Sequence, residues 1–168
     1  LEAQKKSYNE GVDAVKTGND YETVYKTVQG LKEDMNAAKA EASKPNASKA
    51  KKQAYQEAKA KYDGAKQVFD DRVNSGEFKA NKRTQNSNSK KVEKASKELE
   101  TARENLRKNP DDATAKKEYE EASKKYELAK GKKIASEGGH KYSTNTVRLT
   151  KEIFNHKLLT VTLAGRGK

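Results

Sequence analysis

The sequence predicts a mainly α-helical protein: two tandem antiparallel helical hairpins, packed as a four-helix bundle or drawn out as a coiled-coil stalk, followed by a short C-terminal β-hairpin. Three observations predict it. Apolar residues recur at alternating steps of three and four along four segments, two of the junctions between segments carry strong turn chemistry, and the second pair of segments repeats the first at a constant offset.

The first segment follows a short lead containing Tyr8, Val12 and Val15. Asn19-Asp20 offers an N-cap, and Tyr21, Val24, Val28, Leu31, Met35, Ala38 and Ala42 then form a heptad seam. Pro45-Asn46 ends it, because proline lacks the amide hydrogen that a helix interior needs, and the Asn46 side chain is expected to cap the next helix. A second helix is expected over about 47 to 73, with Ala54, Ala58, Tyr62, Ala65 and Phe69 on one face. The break between the two is short, so they fold back on each other.

The design recurs. Val92, Ala95, Leu99, Ala102 and Leu106 form a third seam, and Ala115, Tyr119, Ala122, Tyr126 and Ala129 form its return. Between them, Asn109 is placed to cap the fourth helix, Pro110 to occupy its first position, and Asp111 and Asp112 to sit at its positive end. YQEAKAKYDGAK (55–66) and YEEASKKYELAK (119–130) share seven of twelve positions at an offset of 64, which reads as an internal duplication. The stretch NSGEFKANKRTQNSNSK, 74–90, is rich in Asn, Ser and Lys, and residues 74–91 are expected to be a flexible linker. The hairpins then span 1–73 and 92–133. From 134 to 168 the texture becomes β-prone, with strands expected at about 144–150 and 157–163.

Composition limits how firmly such a chain can fold. Leu, Ile, Val and Phe together make 23 of 168 residues, and mean hydropathy is −1.24. A seam built from Ala and Tyr buries less apolar area than a Leu/Ile seam of equal length, so a marginal monomer that gains from a protein partner or from self-association is expected. The Tyr stripe, at heptad positions, is expected to be core rather than a stacking platform for bases.

Charge is segregated. The net charge of +12 comes almost wholly from residues 74–91, with five basic and one acidic side chain, and residues 130–168, with nine and two. The helical seams are nearly neutral. Lys79, Lys82, Arg83, Lys90 and Lys91, with Lys132, Lys133, Lys141, Arg148, Arg166 and Lys168, are therefore the candidate contacts to phosphates or to an acidic protein surface. Against this stands the plainer role of loop lysines, which is to keep a weakly hydrophobic chain in solution. No RNA-recognition, zinc-finger or helix-turn-helix pattern accompanies the basic runs, and GRGK at the C-terminus lacks the frame of a phosphate-binding loop.

Signs of catalysis are few. There is no Cys, His140 and His156 have no ligand-spaced neighbour, and no GxSxG-type constellation occurs, so neither an enzyme nor a cofactor or metal site is expected. Asn46-Ala47-Ser48 matches a glycosylation acceptor by chance, and no apolar run reaches the length that crosses a bilayer, so no membrane insertion is expected. Leu1 is too bulky to follow a removed Met, and the chain is expected to begin at a proteolytic cut or another boundary. The sequence leaves the compartment open. The leading expectation is a non-enzymatic spacer or clamp within a larger assembly, of the virion or secretion kind, that contacts partners through its basic linker and C-terminal strands; the alternative is a nucleic-acid-associated accessory protein.

Overall fold

The computed structural model describes residues 1–139. They are mainly helical, as predicted, and the chain divides after Phe78 into two units. The predicted β-hairpin lies outside the described residues.

In the first unit the lead is itself a helix, α1 (Glu2–Lys16), followed by α2 (Tyr21–Ala42) and α3 (Lys49–Asn74). The unit is therefore a three-helix arrangement rather than a hairpin with a tail. Both α1 and α2 pack on α3 and touch each other little. The expected N-cap holds for α2, where the Asp20 carboxylate accepts from the Thr23 amide at 3.1 Å. At α3 the cap is Ser48, whose hydroxyl accepts from Lys51 at 3.2 Å, two residues beyond the predicted Asn46.

The first core gathers at one end. Val15, Tyr21, Val24, Tyr25, Val28, Tyr62, Ala65, Phe69 and Val73 are buried. Tyr21 lies at its centre, with ring centroids 5.6 Å from Tyr25, 5.4 Å from Phe69 and 6.0 Å edge-on from Phe78. Further along the α2–α3 pair, Met35, Ala38 and Ala42 are only partly buried, and the closure is polar: Glu41 bridges to Lys44 and, at 2.9 Å, to Lys51.

Two glycines explain why hydrophobicity did not reveal α1. A Cβ on Gly11 would lie 1.8 Å from the Lys61 carbonyl oxygen, and one on Gly64 would lie 2.2 Å from that of Tyr8. The helices α1 and α3 thus cross backbone to backbone, and α1 buries Ser7, Gly11 and Val15 rather than a row of large side chains. Arg72 fastens the same end. Its Nη1 donates to the carbonyl of Val15 at 2.9 Å, its Nη2 to that of Gly18 at 2.7 Å, and the guanidinium forks onto Glu77 at 2.9 and 2.7 Å beneath the Phe78 ring. The bond to Val15 meets a carbonyl that the last turn of α1 leaves without a helical partner, and the bond to Gly18 ties down the loop that follows.

The second unit is a helical hairpin, α4 (Lys82–Lys108) and α5 (Ala113–Ser136). Its core is Ala95, Leu99, Ala102, Ala122 and Tyr126, with Val92, Tyr119 and Ala129 packed against them. This is the predicted seam, and the tyrosines in it are core. Three details differ from expectation. Residues 82–91 are helix, leaving 75–81 between α3 and α4, because Asn81 caps the new helix by accepting from the Thr84 amide at 2.9 Å. Asn109 ends α4 instead of starting α5, its amide donating to Asn105 at 3.0 Å. The cap of α5 is Asp112, which accepts from Thr114 at 2.9 Å and leaves Pro110 in the turn.

Candidate cationic interface

An antiparallel hairpin places the start of its first helix beside the end of its second. Here the two ends are tied directly, the Ala80 amide donating to the Ser136 carbonyl at 2.9 Å. Gln85 turns back onto the Ala80 carbonyl at 2.9 Å, and Ser136 returns its hydroxyl to Lys133 at 2.8 Å. Gly138 and Gly139, at φ 104° and 92°, stop α5, and the Gly139 amide closes onto the Ile134 carbonyl at 3.0 Å.

This folding brings two separated basic segments together. Residues 79–91 supply Lys79, Lys82, Arg83, Lys90 and Lys91, all exposed, with no acid among them. Residues 130–136 supply Lys130, Lys132 and Lys133, half-buried, again with no acid. Lys130 was not singled out from the sequence; its place on the last turns of α5 adds it. Of the eight, only Lys133 is ion-paired among the described residues, to Glu137 at 3.4 Å. The rest of the hairpin, 92–129, holds nine basic and ten acidic residues and is nearly neutral. Lys141, Arg148, Arg166 and Lys168, predicted for the same role, lie outside the described residues.

The helix termini weigh these cations differently. Lys133 sits in the last turn of α5, near its negative pole, where a cation stabilises a helix by about 0.3–1 kcal/mol. Lys82 and Arg83 occupy the first turn of α4, at its positive pole, and cost about as much. The helix dipole therefore favours Lys133 and opposes Lys82 and Arg83. An anion held at this end would relieve the charge on Lys82 and Arg83 and meet the free lysines beside them.

Elsewhere, among the described residues, no group of three or more His, Asp or Glu converges as a metal site would require, and no helix is long and apolar enough to cross a membrane. Burial pushes the Tyr126 phenol up, as suits a core residue. The hydrogen bond from Arg72 holds the Glu77 carboxyl below the usual carboxylate range. Comparison with known protein families, with curated proteins and with solved structures returns no match.

Proposed function

We propose that this chain is a non-catalytic interaction protein, a helical spacer or clamp within a larger assembly, and that the cationic end of its second hairpin is a contact surface for a polyanionic partner. The observation that carries this reading is the convergence of Lys79, Lys82 and Arg83 with Lys130 and Lys132 at one end of an otherwise nearly neutral hairpin, against the helix dipole in the case of Lys82 and Arg83. The β-prone segment after residue 139 is the second proposed contact, by pairing with a strand edge.

The polyanion is either an acidic protein surface or a nucleic acid. The second identity draws on one feature, the run 79–91 with five cations and no acid, which suits the uniform charge of a phosphate backbone. Light scattering of the native particle with and without nuclease separates the two, since only a nucleic-acid complex loses mass on digestion. Binding to a short duplex DNA should weaken with a slope of about −0.9 in log K against log salt for each phosphate neutralised. Replacing Lys79, Lys82, Arg83, Lys130 and Lys132 by Gln should weaken the association with either partner by at least tenfold. Unchanged association in that variant overturns the proposed interface.

A further inference from the structure

Between α4 and α5 runs an open groove of about 670 Å³, floored by Ala102 and Ala122. Its charges are ordered along its length. Towards the cationic end, Lys90, Lys94 and Lys97 of α4 and Lys125 of α5 outweigh Glu93. Towards the 109–112 turn, the lining charges are Glu98, Glu118 and Glu121, all acidic. One half is thus +3 and the other −3, with the change of sign falling between Lys97 and Glu98 on α4.

These eight groups are not occupied with one another. Glu93 and Lys97, Lys94 and Glu98, and Glu121 and Lys125 each stand four residues apart, the spacing that lets a helical pair bridge. None of them is ion-paired among the described residues, whereas Lys124 and Glu120 are, at 3.4 Å.

We infer that the groove is the contact face of an antiparallel homodimer, in which a second copy of the hairpin is seated across a two-fold axis passing near Lys97 and Glu98. Such an axis lays the basic half of one groove on the acidic half of the other, twice over, as an isologous interface requires. The small floor residues let the helices of the two copies approach closely, and the product is a four-helix arrangement around two thin seams. A thin seam supplies the motive: among the described residues, Leu99 is the only large aliphatic side chain fully buried in the hairpin core.

Two other occupants fit less well. In the first unit the corresponding side of α3 is covered by α1, since Lys61, which the offset of 64 pairs with Lys125, has its carbonyl against Gly11. A helix seated as α1 is would need glycine where Gly64 stands, and the second unit has Leu128 there. A polyanion would be repelled by the acidic half.

The test uses the full chain. Sedimentation velocity at tens of micromolar should give a particle of twice the 18.7 kDa chain mass. The double variant Lys94→Glu with Lys97→Glu makes the basic half acidic; Glu118→Lys with Glu121→Lys makes the acidic half basic. All four side chains are exposed, and circular dichroism checks that each variant keeps its helix content. Each variant alone should be monomeric, and an equimolar mixture should restore the dimer. Where a reversal costs helix content, Lys97→Gln with Glu121→Gln reads the same contact as a lowered dimer fraction. A wild-type chain that stays monomeric, a dimer that both variants leave intact, or a mixture that stays monomeric each overturns the inference.

Discussion

At the scale of single residues, stability rests on a few contacts that hydrophobicity does not register. Arg72 joins the end of α1, the α1–α2 loop and the segment after α3, with its side chain 16% exposed. Arg72→Ala leaves carbonyls of Val15 and Gly18 without their donor and should cost about 2–3 kcal/mol in urea unfolding, with Arg72→Lys recovering less than half, because an ammonium cannot fork onto Glu77 and reach both carbonyls. Glycines give opposite signs by position. Gly64→Ala drives a methyl into the Tyr8 carbonyl and should destabilise by about 1–3 kcal/mol, while Gly30→Ala, whose Cβ meets nothing within 4 Å, should stabilise by about 0.5–1 kcal/mol. Glu41 supplies the pH prediction. Hydrogen bonds from Lys44 and then Lys51, followed by their charges, hold its carboxyl at about 2 rather than 4.5. A depressed carboxyl contributes stability that is present above its unfolded value and is lost as pH falls through the folded one, so this clasp on the 43–48 turn should still be closed at pH values where ordinary carboxylates have protonated. An NMR titration of Glu41 should show a midpoint near 2, rising in Lys51→Gln, and a wild-type midpoint near 4.5 would contradict the geometry.

At the scale of elements, helices with large heptad residues were legible from the chain and those without were not. Val24, Val28, Leu99 and Tyr126 announced α2, α4 and α5, and the turn chemistry at Asn109 to Asp112 located the reversal even though the capping role moved from Asn109 to Asp112. Helix α1 escaped because its buried face is Ser7, Gly11 and Val15, and its closest contact is between backbones, which leaves no periodic apolar trace. The first three turns of α4 escaped for a related reason. Residues 82–91 contain no apolar side chain, and their Asn and Ser favour loops in isolation, yet the Asn81 cap and the bond from Ala80 to Ser136 hold them against α5, with Asn88 buried. The candidate cations other than Lys130 were readable as residues; that 79–91 and 130–133 share one end was not, because it depends on those unannounced turns being helical. The hairpin itself hangs on one side chain. Leu99→Ala should destabilise the second unit by about 2–5 kcal/mol in thermal or urea unfolding, while Leu106→Ala, half-exposed near the turn, should cost well under half of that.

At the scale of the whole molecule, charge is an organising variable as much as apolar burial is. A net charge of +12, concentrated in few segments, opposes folding through self-repulsion at low ionic strength. Raising salt from about 0.01 to 0.15 M shortens the screening length from about 30 to 8 Å. Thermal unfolding should therefore rise in midpoint over that range, and the Gln variant of the cationic end should show a smaller rise; a falling midpoint would mean that attractive pairs dominate instead. The bond between Ala80 and Ser136 has one more consequence. It makes the chain leave the second hairpin where it entered, so whatever precedes and follows is insensitive to the arm's length. At about 1.5 Å per residue, the 27 residues of α4 extend about 40 Å, and matched insertions or deletions in both arms would alter that reach while leaving the attachment point unmoved. The hairpin is in this sense a ruler whose graduation can be changed by duplication or loss of heptads.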